Sequence, residues 1–445
     1  MYSDELMTVF KKNGIEIGDT IKVESGKEST EGELMPKTEM SADNVIIIKL
    51  QNGYNLGIVY DRGVSMKKLS KGSKGIEFPK AEIKSRKGLP KVVLIYTGGT
   101  IGAKVDYKTG GVHWFIEPAE LLYEVPEISE IANIEVKQPF AISSEDMSYH
   151  EWQVIAEEVR KSLDGGADGI VVTTGTDTMH YIAAALSFML QNLNAPVVVT
   201  GAQRSSDRGS SDAFMNLACA VQVAAHSDIA EVCICMHSSS SDERCAITRG
   251  TRVRKMHTAR RDAFRPINNK PVAYVDRKLK IEYNGTYNKV AKEIGVKVEV
   301  KTGFEGKVAL LKFHPNSDPE ILDFYIRKGY KGIIIEGTGL GHIAVSTPHK
   351  ELLWSGWIKR AIEKGMVIGM TSQCLYGRVN ENVYRNLRII SGLGVVYCED
   401  MMPETAYVKL GWLLGNYGKD EAKELLSKNI VGEISKRSEY GEFLV

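Results

Sequence analysis

Three short stretches of the chain set hydroxyls and carboxylates beside glycine where an apolar run gives way to a turn. In KVVLIYTGGTIGAKVDYKTGG, residues 91 to 111, Thr97 and Thr100 bracket Gly98 and Gly99. In VVTTGTDTM, Thr173, Thr174, Thr176, Asp177 and Thr178 crowd around Gly175. In PFAISSEDMSYHEW, Ser143, Ser144, Glu145 and Asp146 stand just before a helical pattern. Glycines after a strand can cradle phosphate on backbone amides. A P-loop, however, needs GxxxxGK[ST], and Lys104 is followed by Val105 rather than a hydroxyl. A dinucleotide fingerprint needs GxGxxG, which GGTIG is not. The other reading is a sharp turn that exposes a hydroxyl nucleophile. One Ser, Thr or Asp per helix would serve as an N-cap, so capping accounts for part of these hydroxyls and not all.

A hydroxyl nucleophile needs a base. No GxSxG elbow is present, and the histidines form no recognisable Ser-His-Asp pattern. A lysine whose charge is opposed by burial and by cationic neighbours can serve instead. Lys255 is the candidate, within TRGTRVRKMHTARRDAF, where Arg252, Arg254, Arg260 and Arg261 surround it. The same basic run also reads as a solvated loop, and residues alone leave that choice open.

Such groups need a scaffold. From residue 91 apolar runs at 92–96, 169–174, 196–201 and 231–236 alternate with helical patterns. Trp152, Ile155, Ala156, Val159 and Leu163 recur at helical spacing, and DTMHYIAAALSFMLQNL is long enough for a helix. Strands separated by helices predict right-handed crossovers and a parallel sheet covered on both faces, with functional groups at the carboxyl ends of its strands. A smaller α/β unit follows, with strand runs at 307–313, 332–337 and 367–371. Residues 1 to about 60 read as all-β, with Asn52-Gly53 as a hairpin signal. Residues 61 to 90, rich in Lys, Arg and Gly, read as a linker; a solvated connector and a polyanion-binding strip are both compatible with it.

At 445 residues the chain is long enough for two or three domains with real cores. A formal net charge of +1 provides no global drive toward nucleic acid or membrane. Six scattered cysteines form no CxxC pair or zinc spacing; Cys233 and Cys235 in EVCICM read as buried thiols. No apolar segment resembles a signal peptide or a membrane span. The expectation is a soluble, reduced, cytoplasmic protein.

Taken in order, YTGGTIG, TTGTDTM, SSEDM before a helical Trp, TGAQR with SDAFMNL, and a lysine followed by DAF resemble the threonine-dependent L-asparaginase/glutaminase family. TSQCLYGRVN and DMMPETAYVKL extend the resemblance to about residue 420. It implies an asparaginase-like two-unit α/β body and hydrolysis of a side-chain carboxamide through an acyl-enzyme. By motif, Thr100 matches the nucleophile; Thr176, Asp177 and Lys255 match the proton relay; Ser144 matches the substrate-holding serine, and Asp177 also meets the substrate amino group. Gly99, Gly175 and Glu145 fall at substrate-binding positions, although Glu145 stands where many bacterial members carry Gln or Ser. Tyr107 is the candidate for the family's loop tyrosine. The implied boundaries are 1–88 for a small all-β, barrel-like domain with its basic linker, 89–290 for the catalytic α/β domain, and 291–445 for a smaller α/β domain.

Ordinary members begin almost at the first threonine motif. A β-rich module ahead of an asparaginase-like body resembles instead the glutaminase subunits of archaeal tRNA-dependent amidotransferases. That implies ammonia delivery to a partner, GatE, which would hold ATP and Mg2+, bind most of tRNA(Gln) and amidate Glu-tRNA(Gln). It also implies self-association through the body and a heterodimer or 2+2 heterotetramer. Glutamine or asparagine would be the small-molecule substrate, with no metal or other cofactor on this chain and no membrane partner. A free-standing asparaginase with an accessory domain and a non-enzymatic RNA-binding scaffold are the competing readings.

Overall fold

In the computed structural model, residues 2–26, 28–35, 42, 44–50, 55–61, 63–71, 86–105, 112–114, 127–205, 210–291 and 297–443 are described. Contacts group the chain into two units: Met1–Glu82 with Ala103–Glu120, and Ile83–Gly102 with Leu121–Val445.

The first unit carries a five-stranded antiparallel sheet of β1 (Thr20–Ser25), β2 (Glu28–Leu34), β3 (Val45–Lys49), β4 (Asn55–Val59) and β5 (Val64–Ser70), in the order β4-β3-β2-β1-β5. The expected hairpin is present as the β3–β4 pair, from Val45 opposite Val59 to Lys49 opposite Asn55; Asn52 and Gly53 themselves lie outside the described residues. Two features depart from the sequence reading. The stretch taken as all-β opens on a helix, Asp4–Lys12, and the stretch taken as a linker contributes β5. The helix follows from ordinary rules. Ser3 caps it by accepting from the Leu6 amide, acids fill the first turn and lysines the last, and Leu6 and Phe10 bury one face at i and i+4 spacing. β5 buries only Val64 and Met66 and turns lysines outward, so its composition hides it.

The second unit is the asparaginase-like α/β body. Its larger sheet contains β6 (Lys91–Tyr96), β7 (Asn133–Lys137), β8 (Gly169–Thr173), β9 (Val197–Thr200), β10 (Val232–His237), β11 (Arg244–Arg249), β12 (Ala273–Asp276) and β13 (Ile281–Tyr283). Their order is β13-β12-β11-β10-β9-β8-β6-β7. β7 through β10 and β6 pair in parallel, as the alternation of strands and helices predicts. β11, β12 and β13 extend the sheet in antiparallel fashion, which that alternation does not predict. Only residues 238–243 join β10 to β11, far too few for a crossover, so the chain must turn back.

A second, parallel sheet runs β14 (Val308–Lys312), β15 (Gly332–Gly337), β16 (Val367–Ser372) and β17 (Val396–Tyr397) in sequence order. One continuous core links both α/β halves, from Val93 and Ile170 to Leu410 and Trp412. In it the helices Met179–Met189 and Pro403–Asn416 meet, and Phe188 stacks on Trp412 with ring centroids 5.6 Å apart. Each such fully buried side chain contributes roughly 1.5–3 kcal/mol of hydrophobic stabilisation.

Candidate active site

Register sets the site. Thr173 of β8 stands opposite Tyr96 of β6 on one side and Thr200 of β9 on the other, so three neighbouring parallel strands end level. Their carboxyl-end turns therefore meet. Thr97 ties the first to the second, donating to the Thr173 carbonyl from its amide at 3.0 Å and from its hydroxyl at 2.9 Å. Gly98 and Gly99 have φ of 112° and 89°, a region that side chains rarely adopt. A methyl group on Gly99 would sit 2.3 Å from the Gly175 nitrogen, and one on Gly175 would sit 2.8 Å from Ser144 Oγ. A methyl group on Gly201 would meet the Thr174 carbonyl oxygen at 2.5 Å. The glycines thus serve backbone-to-backbone approach between turns. Thr100, half-buried, follows directly and opens a short 3-10 turn, Thr100–Gly102.

Lys255 arrives from elsewhere. It ends the strand Val253–Lys255, which pairs with Phe264–Pro266. Its Nζ donates to Thr176 Oγ1 at 2.8 Å and to Asp177 Oδ1 at 2.7 Å. The lysine side chain is 10% exposed and the Asp177 side chain 67%, so the lysine is withdrawn from water while its acidic partner faces it. The crowding by cations suggested by the sequence is cancelled locally. Arg252 pairs with Asp400, Arg254 with Glu404, Arg260 with Asp262 and Arg261 with Asp242. The Arg260 guanidinium holds the Asp262 carboxyl below its usual range.

The surrounding shell is built from capped turns. Thr178 donates from its hydroxyl to the Ser144 carbonyl at 2.6 Å, and its amide donates to Ser144 Oγ at 3.4 Å. Ser148 and Glu151 form a capping box that starts the helix Tyr149–Asp164. The buried Asp212 carboxylate accepts from the amides of Gln203 and Arg204, and Asn216 Nδ2 bridges Asp212 to the Gly201 carbonyl. TGAQR and SDAFMNL are therefore one device: the second holds the turn that the first forms. His180, one helical turn beyond Asp177, is pushed down to about 3 by burial and by the charges of Arg254 and Lys255, and its Nδ1 has no partner among the described residues.

The structure thus brings together Gly99, Ser144, Gly175, Thr176, Asp177 and Lys255, with Thr100 next to Gly99. Glu145 is exposed in the 3-10 turn Ser144–Asp146. Tyr107 lies outside the described residues. Among the described residues no group of three or more His, Cys, Asp or Glu is arranged to hold a metal ion, and no helix is long and apolar enough to cross a membrane. Sequence reasoning named Thr97 beside the glycines without its tie to Thr173, and missed His180 and the Arg254–Glu404 pair. The pair, being long-range, left no local signal.

Hydroxyls at the carboxyl ends of a parallel sheet, met by an almost buried lysine from a separate ribbon, place the fold with the amide hydrolases of the asparaginase type. Family models match accordingly: "Asparaginase, N-terminal" over residues 91–287 and "Glutaminase/Asparaginase C-terminal domain" over residues 307–426. The L-asparaginase of Thermococcus kodakarensis has a similar structure (TM-score 0.67, 28% identity, 78% of this chain and 99% of that one), as does L-asparaginase I of Vibrio cholerae (TM-score 0.66, 29% identity, 78% and 99%). Residues 15–69 match a third model, "GatD N-terminal domain". The GatD component of the glutamyl-tRNA(Gln) amidotransferase of Pyrococcus furiosus is 50% identical over 98% of both chains, and that of T. kodakarensis 49% identical over 99% of both. The chain belongs to the GatD family of glutamyl-tRNA(Gln) amidotransferase components.

Proposed function

We propose that the chain is the glutaminase subunit of a tRNA-dependent amidotransferase, hydrolysing the glutamine side-chain amide at Thr100 and passing ammonia to a partner subunit. The contact of Lys255 with Thr176 and Asp177, beside the turn that presents Thr100, carries this reading. As a base, Lys255 acts in its neutral form. A neutral amine keeps two N–H bonds and one lone pair, so it can donate to Asp177 while its lone pair accepts from the Thr176 hydroxyl, and a proton passes to it along that bond. Thr100 Oγ then attacks the amide carbon, the tetrahedral intermediate collapses, and the C–N bond breaks as the nitrogen leaves protonated as ammonia. Water cleaves the threonyl ester by the same relay in reverse, releasing glutamate. Amides of the turns after β6 and β8 are the donors for the oxyanion. Ser144 and Asp177 hold the substrate's α-groups.

The partner, GatE, would bind ATP and Mg2+, hold most of tRNA(Gln) and amidate Glu-tRNA(Gln) in the cytoplasm, in a heterodimer or a 2+2 assembly built on self-association of the α/β body. The "GatD N-terminal domain" match favours this over a free-standing asparaginase. The test is ammonia release from glutamine and asparagine by the purified chain, alone and with the partner subunit, ATP and Glu-tRNA(Gln). Stimulation by the complete system is expected. Strong asparaginase activity indifferent to the partner would overturn the reading.

A further inference from the structure

Lys255 ends a three-residue strand that opens into exposed chain at Met256. A two-stranded ribbon of this length is marginal by itself, yet its last side chain must meet two partners within hydrogen-bond distance. Its anchors lie in the C-terminal α/β half. Thr405 Oγ1 donates to the Thr251 carbonyl at 3.2 Å. Arg252, 1% exposed, donates to Asp400 Oδ2 at 3.1 Å, to the Asp400 and Gly432 carbonyls and to Ser435 Oγ. Arg254 reaches Glu404 Oε1 at 2.7 Å. On the return of the ribbon, Asn268 donates to the carbonyls of Gly377 and Asp400, each at 3.0 Å. Strand alternation sends neighbouring side chains to opposite faces. With Arg254 drawn to the helix Pro403–Asn416, Lys255 is turned toward Thr176 and Asp177.

We propose that the Arg254–Glu404 ion pair is a positioning contact that holds Lys255 on Thr176, so that the C-terminal half helps to set the rate of amide hydrolysis without touching the substrate. This rests on the reading of Lys255 as the relay lysine. Glu404 is poorly explained as a stabiliser. Its side chain is only 7% exposed, and its Oε2 has no partner among the described residues, an arrangement in which desolvation opposes the pair. The contact differs in kind from the fully buried Arg252–Asp400 bridge, since the Arg254 side chain is 33% exposed. A displacement of about 1 Å at a reacting group can cost roughly a hundredfold in rate, so a modest restraint at this distance has a large lever.

The experiment measures steady-state kcat and KM for glutamine with the full chain and its partner subunit, together with the thermal midpoint, for Glu404→Gln and Arg254→Lys. The expected result is a kcat about tenfold or more lower, a KM within about twofold and a midpoint shifted by a few degrees at most. The exchange Arg254→Glu with Glu404→Arg recovers part of the rate. In a Lys255→Ala background Glu404→Gln causes no further fall, because the pair acts through Lys255. An unchanged kcat in both single variants alongside an inactive Lys255→Ala overturns the positioning role and leaves the relay standing. A parallel rise in KM, or a further loss in the Lys255→Ala background, also overturns it. A fully active Lys255→Ala enzyme overturns the relay, and the positioning role with it.

Discussion

Lys255 Nζ lies 2.8 Å from Thr176 Oγ1 across 79 residues of sequence. The contact joins a strand-end turn of the parallel sheet to a short ribbon that follows β11 in the chain. Neither local propensity nor spacing demands it; only the folded core does. Thr176→Val and Lys255→Met keep the volume of the side chains and remove the relay. Both should lower ammonia release from glutamine by at least about 10²–10⁴-fold, with circular dichroism and thermal midpoint close to the parent. Near-normal turnover in Thr176→Val would show that the relay runs elsewhere.

Gly99 tests the convergence of the turns. Its φ is 89°, and a methyl group there would sit 2.3 Å from the Gly175 nitrogen, where only backbone can yield. Gly99→Ala should cost about 1–3 kcal/mol of strain and most of the activity. Gly166→Ala is the control, because φ is 80° there but nothing lies within 4 Å. It should lose only the share of stability that φ imposes, less than Gly99→Ala, and keep its turnover. Urea melts with parallel glutaminase assays separate the two outcomes.

The buried pair Lys409–Glu433, 2.7 Å apart with both side chains fully buried, fastens the C-terminal segment to the helix Pro403–Asn416. Glu433 also accepts from the amides of Ile430 and Val431. Glu433→Ala should destabilise by about 3–5 kcal/mol, since it strands a buried cation. Adding Lys409→Met should restore part of the loss, and denaturant titration reads both. Equal stability of the single and double variants would contradict the stranded charge.

His180 makes stability depend on pH. Its folded pKa of about 3 lies below the usual 6.5 because burial, Arg254 and Lys255 all oppose the imidazolium. Between those values the unfolded chain binds the proton and the folded chain does not. The contribution is complete above pH 6.5 and is lost as pH falls toward 3, at up to about 1.4 kcal/mol per pH unit. His180→Gln should therefore flatten the acid limb of the stability curve over that window. An unaltered slope in the variant would remove His180 as its source.

Much of the body could be read from residues alone. The apolar runs ending at Tyr96, Thr173 and Thr200 mark strands, and the hydroxyls just beyond them mark the carboxyl-end turns where such sheets carry their chemistry. What was not legible depends on partners distant in sequence. β11 pairs antiparallel with β10 because the connection after His237 is short, not because its composition differs. β5 is a strand because β1 lies beside it; its lysines resemble those of a linker. The arginines around Lys255 look like crowding in sequence, yet Asp400, Glu404, Asp262 and Asp242 neutralise them in space. Glu404 in particular carries no local sign that its partner lies 150 residues earlier.

Mass spectrometry of the enzyme quenched during glutamine turnover tests the central claim most directly. A glutamyl ester should be found on the peptide that carries Thr100, should accumulate when Lys255 is replaced by a residue that slows deacylation more than acylation, and should vanish in Thr100→Ala. An adduct on the peptide carrying Thr176, or continued ammonia release from Thr100→Ala, would contradict the account.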